Sequence, residues 1–196
     1  KSISLDMLTR VGITDTEKRF NQYAFELSGG MRQRAMIAMA LSTMPKLLLA
    51  DEPTTALDVT IQAQVLKLMK DIIKEYKMGV IFITHDLAVI AQTADQIAVM
   101  YLGCIVEKGP VNEILKNPKH PYTKGLIAAL PDVNNLDAPL KPIPGNIPSP
   151  LERPSNCVFR TRCPNPTHEC KEGKTPMGLI EVKPGHWVDK CCANCG

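Results

Sequence analysis

A run of four apolar residues that ends in two acids constrains the fold more than any other stretch of this sequence. Leu47 to Ala50 is too short for a typical helix, and its composition predicts a strand buried on both faces of a parallel sheet. Asp51 and Glu52 follow at once, and Pro53 ends the strand because it has no N–H for the ladder. Ligands of open α/β sheets gather at the carboxyl edge of the strands. The sequence therefore predicts an α/β fold with two carboxylates presented at that edge.

These two carboxylates suit phosphate chemistry that uses a hard cation. Mg²⁺ is usually held by one or two carboxylates together with phosphate oxygens of the substrate. We assign Asp51 to the metal and Glu52 to the attacking water, as a general base. A strand that merely runs into a polar loop would show the same residues, so the assignment needs support from elsewhere in the chain.

A second apolar run supplies that support. Val80 to Thr84 predicts another buried strand, and it is followed by His85. Apolar residues at three- and four-residue steps between Val59 and Tyr76 predict an amphipathic helix that joins the two strands. A histidine after a strand is more often structural. Because both strands end at one sheet edge, we nevertheless expect His85 to lie near the two acids.

The stretch Leu27-Ser28-Gly29-Gly30 leads into a helix rich in Ala and Met. Ser28 is a favourable N-cap, and the two glycines let another molecule approach the backbone closely. The N–H groups at a helix N-terminus bind anions. A capped helix with a flexible lead-in is the simpler alternative for this stretch alone.

Composition excludes several classes of protein. The 196 residues carry a net charge of only +3 with mixed signs, which gives no indication of a nucleic-acid partner. No apolar run approaches the ~20 residues that span a bilayer, so we expect any membrane connection to come through a partner. Six of the seven cysteines follow residue 156, and seven of the 16 prolines lie between residues 131 and 154. The prolines predict an extended connection, and the cysteines a separate tail.

Three elements in this order resemble the nucleotide-binding subunit of an ABC transporter. Leu27 to Gly30 with Gln33 resembles the signature motif, Leu47 to Asp58 the Walker B strand with its D-loop, and Ile83 to Asp86 the switch histidine. The step His120-Pro121-Tyr122-Thr123, the Pro-rich stretch and the Cys-rich tail are similar to importers of dipeptides, oligopeptides and nickel. The resemblance covers nearly the whole chain. It implies the C-terminal part of an ABC-type P-loop NTPase domain with a small Cys-rich appendage.

The resemblance implies a role for each motif residue. Asp51 would hold Mg²⁺, Glu52 would polarise the attacking water, and His85 would sense the γ-phosphate of ATP. Asp58 would contact an opposing subunit. The γ-phosphate of an ATP held by that subunit would be bound by Ser28, Gly29 and Gly30, with Gln33 beside them.

It also implies an organisation and a set of partners. We expect a partial ATPase domain over residues 1–110, a helical and Pro-rich connection over 111–154, and a metal-binding tail over 155–196. No G-x-x-x-x-G-K-[ST] loop occurs, so we expect the phosphate cradle upstream of Lys1 and no ATP hydrolysis by this chain alone. The expected partners are a second ATP-binding subunit, identical or related, two membrane permease subunits and, indirectly, an extracellular solute-binding protein. The expected place is the cytoplasmic face of the cell membrane.

The tail predicts a metal centre. A reduced compartment favours metal over disulfides, and four thiolates bind either zinc or an iron–sulfur cluster. Only Cys192-x-x-Cys195 has a spacing typical of zinc. The wider spacing and the resemblance favour a [4Fe–4S] cluster on Cys157, Cys163, Cys170 and Cys191, with Cys192 as an alternative fourth ligand. Zn²⁺ and unligated thiols remain the other possibilities.

Two further functions are compatible with some of these motifs. An ABC-type ATPase acting on nucleic acid or the ribosome would share the signature motif and Walker B, but the chain shows neither a coiled-coil insertion nor a second cassette. A non-catalytic metal-binding regulator would have no need of Glu52 and His85. We therefore favour the ATP-binding subunit of a peptide-type importer.

Overall fold

The structure is a computed structural model that describes residues 1–55, 57–131, 141–176 and 178–193. It divides into two compact units, residues 1–93 and residues 94–196. The three-part division expected from the sequence remains a prediction. Ala56 of the Walker B stretch, Cys195 and residues 132–140 of the Pro-rich connection lie outside the described residues.

The N-terminal unit consists of five helices and two strands within the described residues, with a short 3-10 turn at Ala24–Glu26. In chain order these are α1 (Ser2–Arg10), α2 (Thr16–Phe20), α3 (Gly29–Leu41), β1 (Leu47–Asp51), α4 (Val59–Tyr76), β2 (Gly79–Ile83) and α5 (Leu87–Thr93).

Helix α4 has the bounds that its apolar periodicity predicts. Its buried side chains fall on one face: Val65, Leu66, Met69 and Ile72. The helix ends at Lys77, which adopts the left-handed conformation with φ +49°. The buried face packs with residues from α1 and α3, including Met7 and Leu41, to form the core of this unit.

Strands β1 and β2 pair in parallel, with Leu47 opposite Gly79 and Asp51 opposite Ile83. The expectation that these strands are buried on both faces is wrong for this structure. Leu49 is 64% exposed and Ile83 is 50% exposed, whereas Ala50 on the other face is buried. The reason is that the described elements of this unit cover one face of a two-stranded sheet only.

The C-terminal unit is built on an antiparallel sheet with strand order β3-β4-β6-β5. Its elements are β3 (Gln96–Tyr101), β4 (Cys104–Pro110), α6 (Val111–Lys116), α7 (Pro121–Ala128), α8 (His168–Glu172), β5 (Leu179–Lys183) and β6 (His186–Asp189), with 3-10 turns at Pro150–Glu152 and Lys190–Cys192. The sequence of residues 97–101 and 104–107 predicts a hairpin that turns at Leu102 and Gly103. The β3–β4 hairpin turns there, and both residues have positive φ, as a two-residue hairpin loop requires.

A free cysteine in a strand behaves as a small hydrophobic residue, which predicts that Cys104 lies in the core. That prediction is wrong. Cys104 is partly exposed, and Arg153 Nη2 donates to its Sγ at 2.6 Å. The position next to the hairpin turn explains the difference, because a strand end is covered by fewer neighbours than a strand centre.

A buried carboxylate joins three parts of the C-terminal unit. Glu107 of β4 is fully buried and accepts backbone hydrogen bonds from Lys119 at 2.7 Å and His120 at 3.0 Å. His186 Nε2 of β6 lies 2.7 Å from the same carboxylate. These contacts fix the start of α7 and the strand that precedes Cys191 to one side chain.

No helix within the described ranges is both long and apolar enough to cross a membrane.

Candidate functional site

The carboxyl ends of β1 and β2 bring together the predicted acid and histidine. The parallel register continues one step past the strands, because Glu52 N donates to Ile83 O at 2.8 Å. That bond places the residue after β1 level with the end of β2. Glu52 Oε1 and His85 Nδ1 then lie 3.1 Å apart. The structure thus places these two residues together, as their positions after neighbouring strands predict.

Glu52 is held in an unusual backbone conformation. Its φ is +44°, in a region that residues other than glycine rarely adopt and that costs of the order of 1 kcal/mol or more. Thr55 Oγ1 donates to Glu52 Oε2 at 2.7 Å. This hydrogen bond, followed by that to His85, lowers the pKa of Glu52. The carboxylate is therefore ionised, oriented and open to solvent, as a group that accepts a proton from water must be.

Asp51 occupies the last position of β1 and is exposed. Within the described ranges its side chain makes no hydrogen bond or ion pair, so the carboxylate oxygens are accessible to a cation. Its assignment to Mg²⁺ remains a prediction.

Asp86 holds the loop that carries His85, a role that sequence reasoning did not assign. Its Oδ1 accepts from the backbone N–H of Ala88 at 2.8 Å and of Val89 at 3.2 Å, at the start of α5. Gln62 of α4 donates to its other oxygen at 3.3 Å. An Asp before an apolar helical run is an N-cap pattern, so the sequence did contain a local indication of this role.

Ser28 caps α3, as predicted, and is exposed rather than buried against its own core. Its Oγ accepts from Met31 N at 3.3 Å. Gly29 faces open space, whereas a Cβ on Gly30 would come within 2.9 Å of Ile61 Cγ2. Gly30 is therefore needed for the close approach of α3 to α4, and Gly29 leaves the backbone free for a ligand.

Gln33 and Asp58 both have structural contacts in this unit. Gln33 Nε2 donates to Pro53 O at 2.5 Å, which ties α3 to the loop after Glu52. Asp58 Oδ1 caps α4 by accepting from Ile61 N at 2.9 Å. Their expected roles next to the phosphate and across a dimer remain predictions.

A second group of potential ligands lies in the C-terminal unit. Atoms of Cys157, Asp189 and Cys191 that could bind a metal all lie within 4.8 Å of one another. Cys192 Sγ lies 3.4 Å from Cys191 Sγ. The structure thus brings the first and the fourth predicted ligands together, with the alternative fourth ligand beside them. Asp189 was missed because nothing in cysteine spacing points to an aspartate.

Cys163 and Cys170 are not members of that group of three. Cys170 is buried and its Sγ lies 3.1 Å from Thr167 Oγ1. Cys163 is partly exposed, and burial followed by the charges of Cys157 and Cys170 raises the pKa of its thiol. The role of Cys163 and Cys170 as ligands remains a prediction.

The grouped thiols hold their protons more tightly than ordinary cysteines. A hydrogen bond with Cys191, together with burial, raises the pKa of Cys157. The hydrogen bond with Cys157 lowers the pKa of Cys191, but the hydrogen bond with Cys192 and burial have the larger combined effect. The pKa of Cys191 is therefore raised overall. Crowded thiols of this kind lose their protons readily only to a cation that binds the thiolates.

A cluster of rings fixes the loop that carries the first cysteine of this group. Phe159, two residues after Cys157, is only 1% exposed. Its ring centroid lies 5.2 Å from Tyr101, 5.5 Å from Tyr122 and 5.6 Å from His120. The His120-Pro121-Tyr122 step therefore packs against the cysteine loop, a contact that the sequence did not predict.

His186 and Trp187 lie shortly before the last cysteines in the sequence, and we interpret them as residues that pack against the site rather than bind a metal. His186 is buried against Glu107, and Trp187 lies beneath Lys108, whose Nζ is 5.2 Å from the ring centroid. Neither contact involves the grouped cysteines, so the packing of His186 and Trp187 against the site remains a prediction.

Two family models match different parts of the chain. Residues 3–55 match the ABC transporter model, and residues 106–170 match the model of the oligopeptide/dipeptide transporter C-terminal region. The chain belongs to the ABC transporter family. The first match contains Ser28, Asp51 and Glu52, and the second contains Glu107, His120 and three of the cysteines.

The matches to curated relatives cover most of this ABC family chain. It is 48% identical over 172 residues to a dipeptide transport ATP-binding protein of Haemophilus influenzae, a match that covers 88% of the chain and 52% of the relative. It is 45% identical over 177 residues to the corresponding Escherichia coli protein, covering 90% of the chain and 54% of the relative. The chain therefore spans about half the length of the curated relatives it matches.

A solved structure supports the fold. The chain resembles cbiO1 of Clostridium perfringens, part of the ABC transporter complex cbiONQ, with a TM-score of 0.53 and 29% sequence identity. The match covers 59% of the chain and 45% of that structure. The α/β P-loop NTPase class expected from the sequence is confirmed.

Proposed function

We propose that this chain forms part of the ATPase of an ABC importer for di- and oligopeptides. ATP hydrolysis would be coupled to uptake through two membrane permease subunits. The observation that carries the proposal is the contact between the Glu52 carboxylate and His85 at the carboxyl edge of two parallel strands. The names of the relatives, which are dipeptide transport ATP-binding proteins, support peptides as the cargo.

The geometry is suited to phosphoryl transfer. That reaction depends mainly on positioning and charge neutralisation. Glu52, ionised and fixed by Thr55, would orient the attacking water, and His85 would bridge the carboxylate and the terminal phosphate. Asp51 would bind the Mg²⁺ that accompanies ATP. Phosphoryl transfer also requires a phosphate-binding loop, and this chain contains no G-x-x-x-x-G-K-[ST] motif.

The exposed cap of α3 supports a role across a dimer. Ser28 and Gly29 face solvent with open space around the glycine, so the γ-phosphate of a nucleotide on a second ATP-binding subunit could reach them. Asp58 would meet the same subunit. The assembly would be attached to the cytoplasmic face of the membrane through its permeases, with a solute-binding protein delivering the peptide from outside.

Replacement of Glu52 tests this proposal. The complete gene product is reconstituted with its permease subunits in liposomes, and ATP hydrolysis and dipeptide uptake are measured. Glu52→Gln should lower hydrolysis by at least about 100-fold while ATP-dependent association of the subunits persists. Glu17→Gln, an exposed acid on α2, is the matched control and should retain activity. Full hydrolysis by Glu52→Gln would overturn the proposal.

We also propose that the C-terminal unit holds a metal centre. The donor set fits such a centre, because two thiols and a carboxylate already lie within 4.8 Å of one another. A [4Fe–4S] cluster would use Cys157, Cys163, Cys170 and either Cys191 or Cys192, and would supply a buried anionic group that stabilises the tail. Zn²⁺ is the second candidate, since the grouped atoms are close enough to surround a single ion.

Metal analysis of anaerobically purified protein distinguishes a [4Fe–4S] cluster from a single Zn²⁺. About four iron and four sulfide per chain would indicate the cluster. Stoichiometric zinc without iron would indicate the single ion. Protein free of both, which also fails to bind either when they are supplied under reducing conditions, would contradict the metal proposal.

A further inference from the structure

Gln33 connects the helix that starts after Ser28 to the loop that follows Glu52. Its Nε2 donates to Pro53 O at 2.5 Å, although the two residues are 20 positions apart in the sequence. Gln33 is partly buried, and Pro53 is buried although Glu52 beside it is exposed. The contact therefore fixes the backbone directly after the carboxylate that we assign as the general base.

A second contact of α3 lies at the other end of the same loop. The helix approaches Ile61 so closely at Gly30 that a Cβ there would come within 2.9 Å of Ile61 Cγ2. Ile61 N is the donor that Asp58 caps, at 2.9 Å. Helix α3 thus holds both ends of the segment between Glu52 and Asp58, by a hydrogen bond at Pro53 and by packing at Ile61.

The backbone of Glu52 needs contacts of this kind. Its φ of +44° is unfavourable for a residue with a side chain, and such a conformation persists only where the surroundings impose it. On one side, Glu52 N donates to Ile83 O at 2.8 Å. On the other side, Gln33 holds the next residue. Loss of the Gln33 hydrogen bond would let this loop relax and move the carboxylate.

We infer that Gln33 is a positioning residue that links the helix cap at Ser28 to the general base Glu52. The inference rests on the proposed function and goes beyond it by naming a connection between two nucleotide sites. Ser28 would meet the γ-phosphate held by the partner subunit, whereas Glu52 would act on the nucleotide of its own subunit. Because α3 is continuous from Gly29 to Leu41, a phosphate that restrains its N-terminus also restrains Gln33, and through Gln33 the loop that carries the base.

The first test removes the donor and measures ATP hydrolysis by the complete gene product, reconstituted with its permease subunits. Gln33→Met keeps the length of the side chain and its helix propensity but cannot donate to Pro53 O. It should lower kcat by about tenfold or more and change the KM for ATP by less than about twofold, because the base moves while nucleotide binding is retained. Gln33→Lys keeps a donor of sufficient reach and should recover most of the rate. Gln92→Met, the same change at an exposed position of α5, is the matched control and should retain activity.

The second test asks whether Gln33 carries the effect of the cap to the base. Ser28→Gly removes the hydroxyl that would meet the phosphate, at little cost to the helix cap. The kcat values of this variant, of Gln33→Met and of the double variant are compared with that of the unmodified protein. The double variant should be less impaired than the product of the two separate losses, by about threefold or more. Side chains five residues apart lie on different sides of a helix, so a direct contact between them would not produce this departure.

The outcomes separate this inference from the proposed function. Full activity in Gln33→Met would overturn the inference. A raised KM with unchanged kcat would also overturn it, because the amide would then act on the nucleotide. Losses that multiply in the double variant would show that Gln33 supports the loop without linking it to the cap. In each case, loss of hydrolysis in Glu52→Gln would leave the proposed function standing.

A check on folding keeps the test decisive. Circular dichroism and urea unfolding are measured for every variant. If Gln33→Met does not fold, Gln33→Glu takes its place, because an ionised carboxylate of similar size cannot donate to Pro53 O. Full hydrolysis by Glu52→Gln would contradict the proposed function and the inference together.

Discussion

Nδ1 of His85 lies 3.1 Å from Oε1 of Glu52, across the carboxyl ends of two parallel strands. The two residues are 33 positions apart in the sequence. One backbone hydrogen bond, from Glu52 N to Ile83 O, holds the segments that carry them side by side. Neither side chain is buried, so the geometry depends on the strand register and on local hydrogen bonds rather than on packing.

The acidity of Glu52 should depend first on Thr55 and then on His85. Both hydrogen bonds favour the ionised carboxylate and lower its pKa. Thr55→Val and His85→Gln should each raise the pKa of Glu52, with the larger rise for Thr55→Val. An NMR titration of the Glu52 carboxyl carbon measures this. Thr43→Val, an exposed threonine after α3, is the control, and an unchanged pKa in both site variants would contradict the assignment.

The cap of α3 should contribute measurably to stability. Ser28→Ala removes the acceptor for Met31 N and should lower the free energy of unfolding by about 1 kcal/mol. Ser28→Asp keeps an acceptor and should lower it much less. Urea unfolding followed by circular dichroism, with hydrogen exchange at Met31 as a local measure, checks this. Equal losses in the two variants would show that the cap is not the cause.

Acid should destabilise the C-terminal unit through His120. Burial lowers the pKa of His120 to about 4, against 6.5 for the free side chain. The folded state therefore binds fewer protons than the unfolded state between these values, and stability falls as pH drops from about 6.5 towards 4. The shift corresponds to a loss of about 3 kcal/mol at most.

A substitution isolates this effect from other titrating groups. His120→Asn keeps an acceptor for the N–H of Tyr122 and removes the titration, so its stability should vary less with pH over this range. Urea unfolding followed by Trp187 fluorescence at pH 7, 6 and 5 gives the comparison. His168→Gln, which replaces an exposed histidine, should retain the pH dependence of the unmodified chain. The same dependence in His120→Asn would contradict the assignment.

The uncovered face of the β1–β2 sheet should drive self-association. Leu49 and Ile81 are 64% and 49% exposed on adjacent strands. Replacing both with Thr, which suits strands, should reduce association of the chain in sedimentation velocity experiments. Met100→Thr, at an exposed position of β3, is the control and should change association little. Unaltered association in the double variant would rule out this face as the cause.

The sequence predicted those features that depend on local patterns. The bounds of α4 followed from a three- and four-residue apolar repeat, and the β3–β4 hairpin followed from a two-residue turn with Gly103. The pairing of Glu52 with His85 followed from the general rule that parallel strands end at one edge. Each inference required only neighbouring residues or one rule of topology.

The features that the sequence did not reveal depend on contacts between distant segments. Asp189, at the end of β6, lies near Cys157, and no rule of cysteine spacing encodes that approach. The burial of Glu107 depends on two amides and a histidine that arrive from elsewhere in the chain. The exposure of Leu49 depends on how many strands and helices cover the sheet, which an apolar run by itself does not specify.

The position of Glu107 has a consequence for engineering the protein. This carboxylate belongs to the second strand of the β3–β4 hairpin, and it anchors both the His120 step and the strand that leads to Cys191. A graft of residues 155–196 onto another ATPase would leave behind the acceptor for His186 and expose an unpaired imidazole. A fragment intended for transfer must instead start before β3, so that it includes the β3–β4 hairpin together with the cysteines.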